Sequence, residues 1–301
     1  MEETFAKLRA MHRKASAALV CLLVLLPLTI LLFIAAGPLG LIGIPCLIVL
    51  FVLTSRWTKQ YTSCFKEEIV RGVLEEVFTD LTFLPAQGIP AETVASTGMI
   101  QMGNRYASND LITGRYRGVG FTQSDVTIED ESTDSDGDTT TTTLFCGRWI
   151  MLEFNKEFGC ELQVISRGFG SARRKNGIFT RKSDRRTRIE LENEAFNKEF
   201  SVYGQDEHEA FYLLTPAILD ALLRLRQGLN APLMLMFTGG ILHVAVYTNR
   251  DAFEVRLLGK TDPAVMRDRV MDDIRVITGF IDEMSLDRAI FRSYRTSPTD
   301  I

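Results

Sequence analysis

Charged side chains are absent from one long stretch, between Ala15 and Ser55, which is rich in Leu, Ile, Val and Ala. A single helix of that length would extend about 60 Å, roughly twice the hydrocarbon core of a bilayer. Either the stretch crosses a membrane twice or much apolar surface stays in water. Gly37-Pro38 divides it near the middle. The sequence therefore predicts a transmembrane helical hairpin over 15–55, with helices at about 15–36 and 39–55.

The charges that flank this stretch predict its orientation. Basic residues precede it in the N-terminal segment 1–14, others follow it, and the connecting turn carries none. The positive-inside rule then places both termini of this multi-pass protein in the cytoplasm. The second apolar segment is short and contains Pro45, so a re-entrant segment is the alternative, and the following domain is cytoplasmic in that case too. The stretch is too long for a cleaved signal peptide.

Spacings typical of metal sites are also missing. The five cysteines include no CxxC pair, so a disulfide framework or zinc site is not indicated, and free thiols suit a reducing cytosol. His208-Glu209 begins like the zinc signature HExxH, but Tyr212 occupies the place of the second histidine. The acidic loop 129–143 lacks the final glutamate of an EF-hand, which favours a solvated hairpin tip. We therefore predict neither metal nor cofactor.

Intact catalytic motifs are missing as well. The chain has no Walker loop, GxGxxG or GxSxG, and His243 lies in an apolar strand where a core histidine is the commoner case. One hypothesis is a non-catalytic membrane-anchored module that binds a protein partner or the anionic membrane surface. The alternative is a membrane-bound enzyme that acts on a lipid-linked or phosphorylated substrate, with Arg148 and the basic loop 167–188 as anion contacts. The missing motifs favour the first.

The rest of the chain has the pattern of a cytoplasmic α+β domain over 56–292, followed by a flexible tail over 293–301. Apolar residues recur every three or four positions from Phe65 to Leu81, which predicts an amphipathic helix after a short separator at 56–63. β-strand patterns follow between Asp110 and about Tyr203. We expect an antiparallel β-sheet packed by amphipathic helices.

Local signals place the later elements. Asp206 and Thr215-Pro216 are typical helix starts, and Gly228 is a candidate helix stop. Two apolar runs around Gly239-Gly240 predict a β-hairpin. Asp262-Pro263 opens the last predicted helix.

A strongly basic loop, 167–188, contains nine Lys and Arg residues and one acid, Asp184. On a tethered domain such a loop can contact anionic lipid headgroups. It can equally pair with the acidic loop or stay solvated, and these alternatives remain open. Nucleic acid is not expected, because no aromatic residues interleave with the charges. The candidate lipid contacts are Arg173, Arg174, Lys175, Arg181, Lys182, Arg185 and Arg186.

Several short motifs occur in a fixed order along the chain. They are Tyr61–Lys66, Gly88–Pro90, Ser108–Asp110, Phe145–Trp149 entering Phe154–Lys156, and Ala210–Pro216. Together with the N-terminal apolar pair, they resemble the family of bacterial membrane proteins called domain of unknown function 3137, over about Phe5 to Val255. The resemblance implies a bacterial protein anchored in the inner (cytoplasmic) membrane. It supplies no activity and no site residues.

Overall fold

The computed structural model describes residues 2–37, 43–153, 161–169, 186–255, 257, 262–284 and 286. The chain divides into two compact units. The first combines Met1–Glu76 with Phe253–Asp273, and the second combines Val77–Ala252 with Ile274–Ile301.

The described part of the first unit begins with two long helices. Helix α1 comprises Glu2–Ala36 and α2 comprises Gly43–Phe65. A π-helical turn, Lys66–Val70, connects α2 directly to α3, Arg71–Val77. The separator predicted at 56–63 is therefore wrong, since those residues are helical and the chain runs from Gly43 to Val77 without leaving the helix.

Helices α1 and α2 contact each other and run antiparallel. The His12 and Tyr61 rings meet edge-on with their centroids 5.4 Å apart. Further along the pair, a Cβ at Gly43 would lie 2.2 Å from Thr29 Cγ2, so a glycine is needed for this approach. Among the described helices one, over Phe5–Ala35, is long and apolar enough to cross a membrane by length and composition.

The second unit is built on an antiparallel sheet, which confirms the predicted α+β class. Its described strands are β1 Thr79–Leu84, β2 Arg105–Tyr116, β3 Val119–Thr133, β4 Thr139–Glu153, β5 Leu162–Ser166, β6 Thr187–Ile189, β7 Phe200–Gly204, β8 Leu233–Thr238 and β9 Ile241–Val246. Their order across the sheet is β1-β2-β3-β4-β9-β8-β5-β7-β6, and each neighbouring pair is antiparallel. Strands β8 and β9 form the hairpin predicted at Gly239-Gly240.

The remaining described helices are α4 Ala91–Ser96, α5 Glu194–Glu199, α6 Glu207–Leu213, α7 Pro216–Leu229 and α8 Pro263–Glu283. The carboxylate of Asp206 accepts the backbone N–H groups of His208 and Glu209, which confirms the predicted start of α6. Thr215 is the N-cap of α7, also as predicted. The predicted stop at Gly228 is wrong: α7 continues to Leu229, and Asn230 in the left-handed region (φ 46°) ends it.

The central strands bury side chains on both faces. Phe145, Trp149, Val126 and Met236 belong to a core cluster on one face, together with Val94 of α4. Burying such large side chains contributes roughly 1.5–3 kcal/mol each. Because both faces are buried, the sheet must also accommodate any polar residue of its central strands in its interior.

The helix predicted over 65–81 is too long. It ends at Val77, and Thr79–Leu84 forms the edge strand β1 instead. Asp80 has a φ of 51°, and the β1–β2 register shifts between Thr79 and Thr82. The apolar residues keep a helical spacing beyond Val77, which is why the sequence predicts a longer helix. Pairing with β2 makes Thr79–Leu84 a strand all the same.

Candidate functional site

A group of buried charged residues lies where β2, β3 and β4 are adjacent. Asp125 of β3 and Arg148 of β4 are register partners, and Asp110 lies in β2 beside the partner of Asp125. Asp110 is 0% exposed, and Asp125 and Arg148 are each 1% exposed. Charged residues are almost never buried to this extent unless they are paired. We call these three residues the buried charge cluster.

A β-bulge places Asp110 in the cluster. The β2–β3 register shifts after Asn109, and Asp110 has a φ of 55°. The backbone N–H groups of Asp110 and Leu111 donate to the carbonyls of Pro85 and Gln87, at 3.1 and 2.9 Å. Asn109 Nδ2 donates to Asp110 Oδ2 at 3.0 Å. The bulge therefore turns a carboxylate inward while its backbone stays hydrogen-bonded.

Asp125 has a strongly perturbed environment. Its Oδ2 accepts the N–H of Ala252 at 2.5 Å, and its Oδ1 has no hydrogen-bond partner among the described residues. Burial raises the pKa of Asp125 to about 7; nearby Arg148 and the Ala252 N–H oppose the rise, and Asp110 and Asp251 add to it. Close to neutral pH this carboxyl group exchanges its proton.

The chain after β9 packs tightly against β4, which fixes the segment that reaches Asp125. Asn249 N–H donates to the Cys146 carbonyl at 2.9 Å. A Cβ at Gly147 would lie 2.1 Å from Val246 O and 2.8 Å from Thr248 N. A glycine is required here because backbone occupies the space a side chain would need.

Two serines attach the segment before α4 to the same region. Ile89 N–H donates to Ser124 Oγ at 3.0 Å, and Ser108 Oγ lies 2.9 Å from Ser124 Oγ and donates to the Asp125 carbonyl at 2.8 Å. A Cβ at Gly88 would lie 2.1 Å from Ser108 Oγ. The segment around Gly88 therefore docks directly behind the strand that carries Asp125.

Three motifs that carry the family resemblance therefore meet in space: 88–90, 108–110 and 145–149. Sequence reasoning noted these segments but did not single out Asp110 or Asp125 as site residues. Asp125 lies among the polar residues Gln123, Ser124 and Thr127, so β3 offers no sequence signal that singles it out. Chemically, the cluster offers a carboxyl group that titrates out of contact with bulk water.

Arg148 and His243 point to opposite faces of the sheet. The β4–β9 register is uninterrupted from Arg148 to Glu153, and side chains alternate along a strand. His243, the partner of Met151, therefore lies on the Trp149 face. Trp149 Nε1 donates to His243 Nδ1 at 3.4 Å, and burial lowers the pKa of His243 to about 4. His243 is a neutral core histidine, as predicted, and the two residues do not share a pocket.

Most of the predicted lipid contacts lie outside the described residues, namely Arg173, Arg174, Lys175, Arg181, Lys182 and Arg185. Arg186 is described. Its side chain is 6% exposed, with Nη1 3.8 Å from a carboxylate oxygen of Glu161 and 3.4 Å from Met236 Sδ. Lipid contact by this loop stays a prediction.

The acidic loop is the tip of the β3–β4 hairpin. Asp134 Oδ1 accepts the N–H groups of Asp136 and Asp138 at 3.0 and 2.9 Å, and the residues of the tip are exposed. This confirms the predicted solvated tip, although the strands extend further into 129–143 than expected. In the part of the chain that the structure describes, no group of three or more His, Cys, Asp or Glu side chains could hold a metal ion.

The raised pKa of Asp125 predicts a pH-dependent stability. The folded pKa of about 7 exceeds the ordinary value of 3.8, so the folded state holds the proton more tightly. The stabilisation of the folded state by the protonated Asp125 carboxyl group is complete below about pH 4. It is lost as the pH rises through 7. Between pH 5 and pH 8 we expect the wild type to lose about 2 kcal/mol more than Asp125→Asn. Denaturant titrations of both proteins across this range test this, and parallel profiles would contradict it.

The first two comparisons are with curated proteins and with solved structures. No curated protein matches the sequence. Among solved structures, the crystal structure of the mycobacterial trehalose monomycolate transport factor A, TtfA, aligns with a TM-score of 0.38 and 10% identity, covering 74% of this chain and 96% of that chain. A likeness at this level supports no inference about function.

The family resemblance extends from β4 to just beyond α8. A family described as "Protein of unknown function (DUF3137)" matches residues 143–286, from β4 through α8. The match confirms the resemblance that the motifs indicated, although its span starts later and ends later than expected from them. Over residues 143–286, this chain is similar to the DUF3137 family.

Proposed function

We propose that this chain is a membrane-anchored module without a catalytic role, which holds a cytoplasmic α+β domain for a protein partner or for the anionic membrane surface. The observation that carries the proposal is the apolar surface of α1 and α2. Ten large apolar residues between Val20 and Ile34, and five between Ile44 and Val52, are 44–76% exposed. Elsewhere in the described chain such residues are few and scattered. A contiguous surface of this kind marks a membrane or protein contact.

Lipid is the better occupant of this surface. No charged residue occurs from Ala15 to Ser55. The exposed apolar residues of α1 occupy every side of the helix except the one with Leu22, Leu25 and Thr29, where Thr29 faces α2. A protein partner would bury one stripe and leave the other sides polar, whereas lipid favours an apolar surface on every side.

We further propose that α1 and α2 insert as a two-pass hairpin with both ends in the cytoplasm. Their antiparallel packing and the basic residues at the same end support this. The described part of α2 before Arg56 spans only about 20 Å, so a re-entrant α2 is the alternative. A crossing by α1 alone would put the N-terminus and the second unit on opposite sides.

Cysteine labelling distinguishes these topologies. We expect Lys7→Cys and Gln60→Cys, in a chain whose five cysteines are replaced by alanine, to react with an impermeant maleimide only in inverted vesicles. Ala35→Cys should react only in intact cells, because it lies at the far end of α1. Labelling of positions 7 and 60 from opposite sides would establish a single crossing. Labelling of all three from the inside would establish a re-entrant pair.

The non-catalytic role is supported by the placement of the residues that chemistry would need. Asp125 is enclosed, and Arg148 and His243 occupy opposite faces of the sheet. The basic loop 167–188 is retained as a candidate contact with anionic lipid. A pull-down of the intact protein from detergent extract should enrich a specific protein or lipid, and repeated failure to do so would count against the binding role.

A further inference from the structure

Four exposed basic residues surround one end of the helical pair: Arg13 and Lys14 on α1, and Arg56 and Lys59 on α2. The residues that α1 and α2 bury at this end are different ones, His12, Ala15 and Ala18 on α1 and Thr54 and Tyr61 on α2. The four cations therefore point away from the contact between the helices. We call them the basic collar.

The four cations lie at nearly one height along the pair. The contact between His12 and Tyr61 aligns the antiparallel helices at this end. Lys14 is two residues beyond His12, and Lys59 is two residues before Tyr61, so both lie about 3 Å above the contact. Arg13 and Arg56 lie within about one helical turn of that height.

This height matches the headgroup layer of a bilayer that covers the apolar surface. On α1 the exposed large apolar residues begin at Val20, about 9 Å above Lys14; on α2 they end at Val52, about 6 Å above Arg56. The polar layer of each leaflet is about 5–8 Å thick. Long basic side chains reach across the remaining distance.

The charges that α1 and α2 themselves carry around the collar are all positive. No acidic residue occurs between Thr4 and Lys66, so the collar has no counter-charge on its own helices nearby in sequence. Beyond Lys14 and before Arg56 the pair carries no charge. Only one leaflet can therefore meet charged residues of the pair.

We propose that the basic collar binds the phosphates of anionic phospholipids in the leaflet at this end of the pair. This inference rests on the proposed anchoring and adds a lipid class and the residues that select it. The depth argues for lipid over an acidic protein, since an acidic protein segment would have to displace headgroups to reach Arg56. Each Lys or Arg near a membrane surface increases the preference for anionic lipid about fivefold.

Trp57 provides a reporter within the collar. It is half-buried between Arg56 and Lys59, and the other tryptophan, Trp149, is fully buried. We would reconstitute the full chain in bilayers that mix phosphatidylglycerol with phosphatidylcholine, with bromine on the acyl chains of one lipid at a time. The fluorescence of a Trp57→Phe variant gives the contribution of Trp149 for subtraction.

At equal mole fractions, brominated phosphatidylglycerol should quench Trp57 more strongly, with a relative association constant at least about fivefold higher. The variant R13Q/K14Q/R56Q/K59Q should reduce the ratio to about one. The matched control R13K/K14R/R56K/K59R keeps every charge and should keep the preference. High salt should weaken it in the wild type.

Equal quenching by the two lipids in the wild type, or a preference that survives the glutamine variant, would overturn the collar as a lipid site. Extraction of the wild type by alkaline carbonate would instead contradict the proposed anchoring. The two failures are therefore distinguishable.

Discussion

Arg148→Met is expected to lower the free energy of unfolding by about 3–5 kcal/mol, because it leaves buried acids without their counter-charge. Arg148 is 1% exposed and its charge opposes the burial-driven rise in the pKa of Asp125, which Asp110 and Asp251 promote. Methionine has a similar length, so the main loss is the charge. The loss should be larger at pH 8 than at pH 6, since protonation of Asp125 relieves it at lower pH.

A double-mutant cycle separates the charge from packing. Asp125→Asn in the Arg148→Met background should restore more than half of the lost stability, because an amide is neutral and can still accept the Ala252 N–H. Arg224→Met is the matched control, since Arg224 forms an exposed pair with Glu283 at 2.7 Å and should contribute less than about 1 kcal/mol. Denaturant unfolding of the full chain in detergent, followed by Trp149 fluorescence, measures Arg148→Met, Asp125→Asn, the double variant and Arg224→Met. Equal losses for the two Arg→Met variants would show that burial of Arg148 has no special importance.

Gly147→Ala is the second change with a large expected effect, a destabilisation of about 3 kcal/mol. The added Cβ would lie 2.1 Å from the Val246 carbonyl oxygen, which belongs to the paired strand β9 and cannot move without disturbing the register. The same shift would displace Ala252 from Asp125. Because the Ala252 N–H holds the pKa of Asp125 down, loss of this hydrogen bond should raise that pKa further.

Gly228→Ala provides the opposite control. Gly228 lies inside α7, and a Cβ there would meet nothing within 4 Å. Alanine should stabilise the protein by about 0.5–1 kcal/mol, because it restricts the unfolded chain and favours the helix. Thermal unfolding of both variants in the same detergent tests the pair. A Gly147→Ala protein as stable as the wild type would mean that the two chain segments separate easily.

Local signals in the sequence predicted much of the fold. The cap at Asp206, the proline start at Pro216 and the Gly239-Gly240 hairpin each depend on a few neighbouring residues, and the structure confirms all three. The edge strand β1 was missed because its pairing with β2 is a long-range effect. The end of α7 was misplaced because Asn230 adopted the left-handed conformation in place of a glycine.

The candidate site was harder to predict than the fold. Arg148 was named from the sequence, but as an anion contact of the alternative enzyme, whereas it is buried beside Asp125. A single sequence does not show that a bulge turns Asp110 inward or that the chain after β9 returns to β3 at Ala252. These are contacts between residues that are far apart in sequence, and their pairing depends on the completed sheet.

The uninterrupted helix from Gly43 to Val77 has a mechanical consequence. A flexible linker would let α2 and α3 change their tilt independently. Because the helix is continuous, a change in the tilt of α2 also tilts α3. One residue inserted into such a helix would rotate all that follows by about 100° and advance it by about 1.5 Å. The π-helical turn at Lys66–Val70 has i→i+5 hydrogen bonds, which close a wider ring than those of an α-helix. The rotational register of the residues along this continuous helix therefore already changes at that turn.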